Sequence, residues 1–346
     1  MIIFTYLFYH FLVEASSLHD LETLGEKRII RLIWEYLDRM PDLALDFGDD
    51  VSAVNIGGGR VAVLKTDMLV GETDVPPGMS IRQAARKAVV MNISDFAAKG
   101  VKPLAMLISL GLPRTLREND IRDIGAGLSD AAREYSTYII GGDTNEASDL
   151  IISCSLLGFS SKERIVSRGG AKPGDIVAVT GEFGKTSAGL KILLEGLSAP
   201  REIEEKLKEA VFVPRARLRE GLALSEAKVL SASIDSSDGL AISLHELADA
   251  SDVGFIIDHV PIADEALIFA DIHSLDPYDL GLYGGEEYEL IVTVKPQFWE
   301  SAKSAVADVG GNLIRIGRVI RERRIEMRID GEIRNIERRG WEHFRR

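Results

Sequence analysis

One cysteine, Cys154, stands in 346 residues. A single thiol rules out an internal disulfide and any cysteine-clustered metal centre. It sits in the apolar strand pattern LIISCSLLGF and reads as an inert core residue. This is compatible with a reducing cytoplasm, the expected compartment. Histidine and cysteine at zinc-ligand spacing are absent as well. Positive charge is scarce: 41 Lys and Arg against 54 Asp and Glu give a net charge of −13. That argues against a general nucleic-acid binder. The balance is uneven, because residues 315–346 hold 11 arginines against six acids, a local excess of +5 that leaves −18 elsewhere. The alternation in RRIEMRIDGEIRNIE around Asp330-Gly331 reads as a hairpin with a solvated arginine face rather than an RNA-binding tail.

Long apolar runs are missing too. MIIFTYLFYHFLVEASS offers about a dozen apolar residues, too few to cross a bilayer. No basic residue precedes them, so they make a poor signal peptide, and no membrane partner is expected. Residues 1–20 are read as a dispensable extension or a start codon placed too early, with an amphipathic packing helix as the alternative. A complete phosphate loop is also lacking. VTGEFGKTSAG has the Gly-Lys-Thr, but the first glycine of the signature, separated from the Gly-Lys pair by four residues, is Val179 here, so a tight strand-to-helix turn is the better reading. IGGGR, with no helix after it, reads as a hairpin turn.

What is present is a mixture of strands and helices. RVAVLKTDM, PLAMLISLGLP, STYIIGGD and LIISCSLLGF read as strands, and SIRQAARKAVVMNISDFAAKG as a helix with Ser80 as N-cap and Gly100 as stop. After SRGGAKPGD, rich in turn formers, a second series begins with DIVAVTG. The strict alternation of a Rossmann domain is missing, so the fold class is α/β with mixed sheets. The expected organisation is an extension (1–20), an N-terminal domain (21–166) and a C-terminal α/β domain (167–346).

Acids recur at the ends of apolar segments. Asp67 closes RVAVLKTDM, Asp143 follows YIIGG, Asp49 and Asp50 lie in FGDDVSAV, and Asp235 and Asp238 in SIDSSDGL. Asn92 and Asp95 are three apart within an apolar helix and so share one face. Any one of these acids could be a cap or a turn former, and Asp46, Asp120 and Asp252 are left as such. As a set they are harder to dismiss, because buried carboxylates must be paired or bind metal. Oxygen-rich clusters with few cations nearby suit Mg²⁺ together with a phosphorylated ligand.

Taken in order, GDDVSAV, TDMLV, NISDFAAKG, IGGDT, SRGGAKPGD, IDSSDGL and GGEEYEL resemble the thiamine-monophosphate kinase family over about residues 21–346. That family lies in the superfamily of aminoimidazole ribonucleotide synthetase, selenophosphate synthetase and the hydrogenase maturation dehydratase. The resemblance implies a two-domain subunit like aminoimidazole ribonucleotide synthetase, a homodimer formed through N-terminal domains, and ATP-dependent conversion of thiamine phosphate to thiamine diphosphate. It implies Mg²⁺ ligation by Asp50, Thr66, Asp67, Asp95, Asp143 and Asp235, with Asp238 holding a further ion. It places Gly142, Asp143, Arg168 and Ser237 against ATP, and Glu286 and Trp341 against the thiamine moiety. Tyr288 reads as strand core.

Two positions depart from the pattern. Lys65 stands where Ser or Thr is usual, and a charged lysine cannot ligate Mg²⁺, so one ion is lost or replaced by the ammonium. Asp74 stands where a substrate-contacting histidine is usual, and acts through metal or on the cationic thiazolium. These departures keep open a non-catalytic nucleotide sensor, and a purine-pathway cyclase is the alternative within the superfamily. The terminal cysteine of the maturation dehydratase and the N-terminal Cys or selenocysteine of selenophosphate synthetase are both missing. An acceptor phosphate oxygen is already ionised near neutral pH, so no general base is assigned.

Overall fold

In a computed structural model, which describes residues 24–45, 47–329 and 331–344, each strand expected above is found. The extension 1–20, Asp46 and the turn residue Asp330 fall outside the described residues. By its contacts the chain divides into two compact units. One runs to Pro41 and includes the chain end from Glu342; the other is Asp42–Trp341. In the first, helix α1 (Glu26–Trp34) carries Ile29, Ile30 and Ile33 at helical spacing.

The second unit begins with the hairpin β1 (Ser52–Asn55) and β2 (Arg60–Val70), joined by the glycine turn. A short helix α2 (Gly71–Asp74), the long helix α3 (Ile81–Ala98), β3 (Lys102–Leu112), α4 (Glu118–Glu134), β4 (Ile139–Glu146) and β5 (Ile151–Ser161) follow. The first sheet has the order β1-β2-β5-β3-β4, antiparallel except for β3 with β4. Next come β6 (Ile176–Val179), α5 (Lys185–Glu195), α6 (Arg201–Phe212), α7 (Leu218–Ala227), β7 (Leu230–Asp235), α8 (Leu240–Ser251) and β8 (Gly254–Ile257). Then follow α9 (Asp264–His273), α10 (Pro277–Tyr283), β9 (Leu290–Val294), α11 (Trp299–Asp308), β10 (Ile314–Ile320), β11 (Ile325–Ile329) and β12 (Glu332–Asn335). The second sheet runs β12-β11-β8-β10-β6-β9-β7, with the expected arginine-rich hairpin, β11 and β12, at its edge. Both sheets are mixed, as the fold class requires. Among the described residues no helix is long and apolar enough to cross a membrane.

Helix α3 positions the site. Ser80 caps it through a reciprocal pair with Gln83. Gly100 ends the turn after it with φ 62°, a conformation that costs glycine little. The helix is buried on nearly every side, from Ala84 to Ala98. It packs on β2, β3 and β5 of the first sheet and on α4, α7 and β7. A helix so enclosed has no solvent face to which polar side chains can turn. Asn92, Ser94 and Asp95, all buried, must therefore find partners inside.

The phosphate-loop look-alike resolves in the same terms. Helix α5 does start at Lys185, but its N-terminus is already occupied by an internal carboxyl group, that of Glu287. Glu287 Oε1 accepts hydrogen bonds from the backbone N–H of Gly184 at 2.7 Å and Thr186 at 3.1 Å. Burial raises the Glu287 carboxyl to about 7, although these two bonds pull it down, and Glu289 adds a further push upward. The folded protein thus holds this proton more tightly than the unfolded chain does. The resulting stabilisation is complete below the ordinary value near 4.5 and is lost as pH rises through about 7. Glu287→Gln keeps an acceptor for both N–H groups and cannot ionise. Its stability relative to wild type should rise by on the order of 2–3 kcal/mol between pH 5 and pH 8. Chemical denaturation at the two pH values checks this, and a pH-independent difference would contradict it.

Candidate active site

Strand β2 brings a lysine and an aspartate to the same face. Val61, Val63 and Leu69 are buried, so by period-two alternation Lys65 and Asp67 share their side and Thr66 faces the other. The Lys65 ammonium lies 3.1 Å from Asp67 Oδ1 and 3.0 Å from Asp95 Oδ2, the latter on α3. One turn earlier on that helix, Asn92 Oδ1 accepts the Asp67 backbone N–H at 2.9 Å, fixing the strand against the helix. The Thr66 hydroxyl instead donates to the Cys154 carbonyl at 3.0 Å and meets Ser155 Oγ at 3.1 Å, so the structure does not bring it to the acids.

Three buried carboxylates, from Asp50, Asp95 and Asp235, each offer an oxygen within 4.8 Å of the others. They come from the loop before β1, from α3, and from the end of β7. Asp235 accepts hydrogen bonds from Ser94 Oγ at 2.6 Å and Ser237 Oγ at 3.1 Å. Asp50 is clamped by two cations. The Lys99 ammonium lies 2.6 Å from Asp50 Oδ2 and 2.6 Å from Asp49 Oδ1, and donates to the Ser233 carbonyl at 2.7 Å. The Arg168 guanidinium donates to Asp50, to Glu246 at 2.6 Å and to the Gly48 carbonyl at 3.0 Å.

These partners divide the protonation states. For Asp50, burial pushes upward, but Arg168 and Lys99 together outweigh it and hold the group at about 2. Burial drives Asp95 well above the usual carboxylate range, against the pull of Lys65 and with added repulsion from Asp67, Asp235 and Asp50. Burial and then Asp50 raise Asp235 to about 6. Two of the three acids therefore lack sufficient counter-charge. A hard divalent cation would supply what they lack, and an all-oxygen donor set suits Mg²⁺.

Beside this cluster lies a second group. Lys87, buried in α3, places its ammonium 2.5 Å from Glu286 Oε1 and 2.9 Å from the Asp74 carbonyl. The Asp74 side chain accepts the Val70 N–H at 2.7 Å, so it closes the turn of α2. Backbone bonds from Glu286 N–H to the Ser237 carbonyl (2.7 Å) and from Trp341 N–H to the Asp238 carbonyl (2.9 Å) tie three segments together. Glu286 and Tyr288 both have positive φ, 66° and 54°, an unfavourable conformation concentrated in GGEEYEL. Tyr288 is buried, as expected, but it precedes β9 in a left-handed conformation rather than lying in a strand, and its hydroxyl feels the charges of Glu286, Asp235, Asp67 and Asp74. Trp341 is 54% exposed.

The remaining candidates lie apart from the buried triad. Gly142 and Asp143 are exposed on the edge strand β4. A side chain at 142 would place its Cβ 1.8 Å from the Ile108 carbonyl oxygen, so only glycine fits against β3 there. Asp238 is exposed in the loop before α8. Sequence reasoning assigned no role to Lys99, Lys87, Ser94, Asp49 or Glu246. The signal for the two lysines was their place inside an apolar helical pattern.

Comparison with known proteins gives these features a context. Residues 48–160 match the family model "AIR synthase related protein, N-terminal domain" and residues 172–330 the corresponding C-terminal domain. A Pyrococcus abyssi protein named thiamine-monophosphate kinase is 37% identical over 93% of this chain and 96% of its own length. A Pyrococcus horikoshii protein of the same name is 36% identical over 93% and 97%. Among solved structures, AaThiL complexed with AMPPCP and TMP superposes with a TM-score of 0.82 at 29% identity, covering 95% of this chain and all of that one. Similarity of this extent and identity shows that the chain belongs to the thiamine-monophosphate kinase family.

Proposed function

We propose that this protein transfers the γ-phosphoryl group of ATP to thiamine phosphate, giving thiamine diphosphate and ADP. The observation that carries the reading is the buried set Asp50, Asp95 and Asp235, three carboxylates within 4.8 Å, in a chain that aligns along its length with a structure holding AMPPCP and TMP. Two phosphorylated substrates brought together repel strongly. Unit charges 4 Å apart cost about 4 kcal/mol at an effective dielectric of 20, and several such pairs meet here. Mg²⁺, when bound, neutralises this charge and stabilises the transferring group.

The chain's own residues do the positioning. Asp50, Asp95 and Asp235 are the core of the ion-holding set, and Asp67 borders it through Lys65. Asp143 on β4 and Asp238 before α8 join the set once phosphates are present, and Thr66 contributes only if its backbone carbonyl does so. Lys99 and Arg168 keep Asp50 ionised and aimed. Gly142, Asp143, Arg168 and Ser237 form the ATP side, and Arg168 exchanges a carboxylate partner for phosphate there. Glu286, Trp341 and Asp74 form the thiamine side. The indole of Trp341 offers a face to the thiazolium cation, a contact of roughly 0.5–2 kcal/mol. No residue needs to take a proton, so transfer is in line and rests on positioning and electrostatics.

Two domains divide near residues 166 and 167, a boundary supported by where the two family models end and begin. Two copies pair through the outer face of the first sheet. Leu64, Met68, Leu104, Leu107 and Phe159 are all exposed there, an apolar face that water would otherwise cover. The cytoplasm, where ATP is supplied with Mg²⁺, is the compartment this reading implies.

Purified protein incubated with ATP, Mg²⁺ and thiamine phosphate should yield thiamine diphosphate on chromatography, and none when ATP or the metal is withheld. ATP binding with no product would overturn the assignment in favour of a nucleotide sensor. Asp235→Asn should reduce transfer by at least about 100-fold while the circular dichroism spectrum stays that of wild type. Near-normal turnover in that variant would remove Asp235 from the machinery.

A further inference from the structure

We infer that Lys65 is a built-in counter-ion: its ammonium holds the position between Asp67 and Asp95 that a divalent cation would otherwise occupy, so this protein assembles its site with one metal ion fewer. The inference rests on the reading that the acid cluster holds Mg²⁺.

The ammonium is not a stray surface charge. It is fixed at 3.1 Å from Asp67 Oδ1 and 3.0 Å from Asp95 Oδ2, oxygens delivered by a strand and a helix that pack on each other. Only 19% of the Lys65 side chain is exposed. Carboxylates therefore face the ammonium from two different elements, so it is paired on both sides. A divalent ion bridging the same two carboxylates would sit about 2.1 Å from each oxygen, close to where the ammonium lies. Two cations cannot share that space without strong repulsion.

Charge counting points the same way. Counted at formal charge, the acids of the triad or joined to it through these ion pairs are Asp49, Asp50, Asp67, Asp95, Asp235 and Glu246, and the cations are Lys65, Lys99 and Arg168. Six against three leaves −3, whereas a neutral residue at 65 would leave −4. Lys99 and Arg168 lie on the Asp50 side, so Lys65 alone among these cations neutralises the Asp67 side. A covalently attached cation is present at any Mg²⁺ concentration, and the number of free ions the enzyme must gather falls accordingly.

The test is a count of ions. Mn²⁺ is titrated into the full chain with one equivalent of AMPPCP, and free ion is followed by electron paramagnetic resonance. Wild type, Lys65→Ser and Lys65→Arg are compared, so that ions held by the nucleotide cancel. Lys65→Ser should bind one more Mn²⁺ per chain than wild type, with Lys65→Arg matching wild type. Equal stoichiometry in wild type and Lys65→Ser would overturn the inference while leaving the metal site intact. If no protein binds Mn²⁺ beyond the nucleotide's own, the metal reading fails and takes this inference with it. Should Lys65→Ser not fold, wild-type crystals soaked in Mn²⁺ decide by anomalous scattering. Ions on the Asp50 and Asp235 side with Lys65 in place support the inference, and an ion bridging Asp67 and Asp95 with Lys65 displaced refutes it.

Discussion

Crowding of negative charge inside the fold is the constraint on which the rest depends. Asp50, Asp95 and Asp235 converge within 4.8 Å and are all buried. Three ionised carboxylates at such distances repel by on the order of 10 kcal/mol at an effective dielectric of 20. That is comparable with the whole stability of a typical domain, about 5–15 kcal/mol. The fold meets the demand in two ways. It places Lys99 and Arg168 on Asp50, which stays ionised, and Lys65 between Asp67 and Asp95. It also leaves Asp95 and Asp235 inclined to keep a proton. The second device is the one that metal binding would use, since a proton held this way would be exchanged for a divalent cation.

The architecture around this point follows from it. Helix α3 is enclosed by both halves of the larger unit, so Ser94 and Asp95 meet Asp235 across the boundary between the sheets. Lys99, one residue past the helix end, reaches both the loop before β1 and the Ser233 carbonyl on β7. The site is thus assembled from segments far apart in sequence. The segments carrying Glu286 and Trp341 are joined to it through backbone bonds to the Ser237 and Asp238 carbonyls. Displacing any one segment would move the acid cluster together with Glu286 and Trp341.

Much of this was legible in the sequence where the signal is local. The Ser80 cap, the Gly100 stop and the period-two strands each depend on neighbouring residues, and each element formed where expected. Helices α9 and α10 went unread, although Asp276 followed by Pro277 is a cap-and-proline start. Asp67 and Asp95 stood out because an acid in an apolar segment is anomalous. Thr66 shows the opposite case. Adjacent to Asp67 on a strand, it had to face away, and alternation alone would have said so. The partners of Lys99 and Arg168 were beyond local reading, because Asp49, Asp50 and Glu246 are brought to them only by tertiary contact.

The central claim is that the buried cluster of Asp50, Asp95 and Asp235 is short of positive charge and is where a divalent cation would bind. Calorimetric titration of Mg²⁺ into the metal-free protein at pH 6, in two buffers of different ionisation enthalpy, measures the protons released on binding. The account predicts clear net release, because Asp95 lies well above the carboxylate range and Asp235 at about 6. The release should shrink for Asp235→Asn. Binding with no difference between the buffers would contradict it, since the carboxylates would then already be ionised and the cluster would not be short of positive charge.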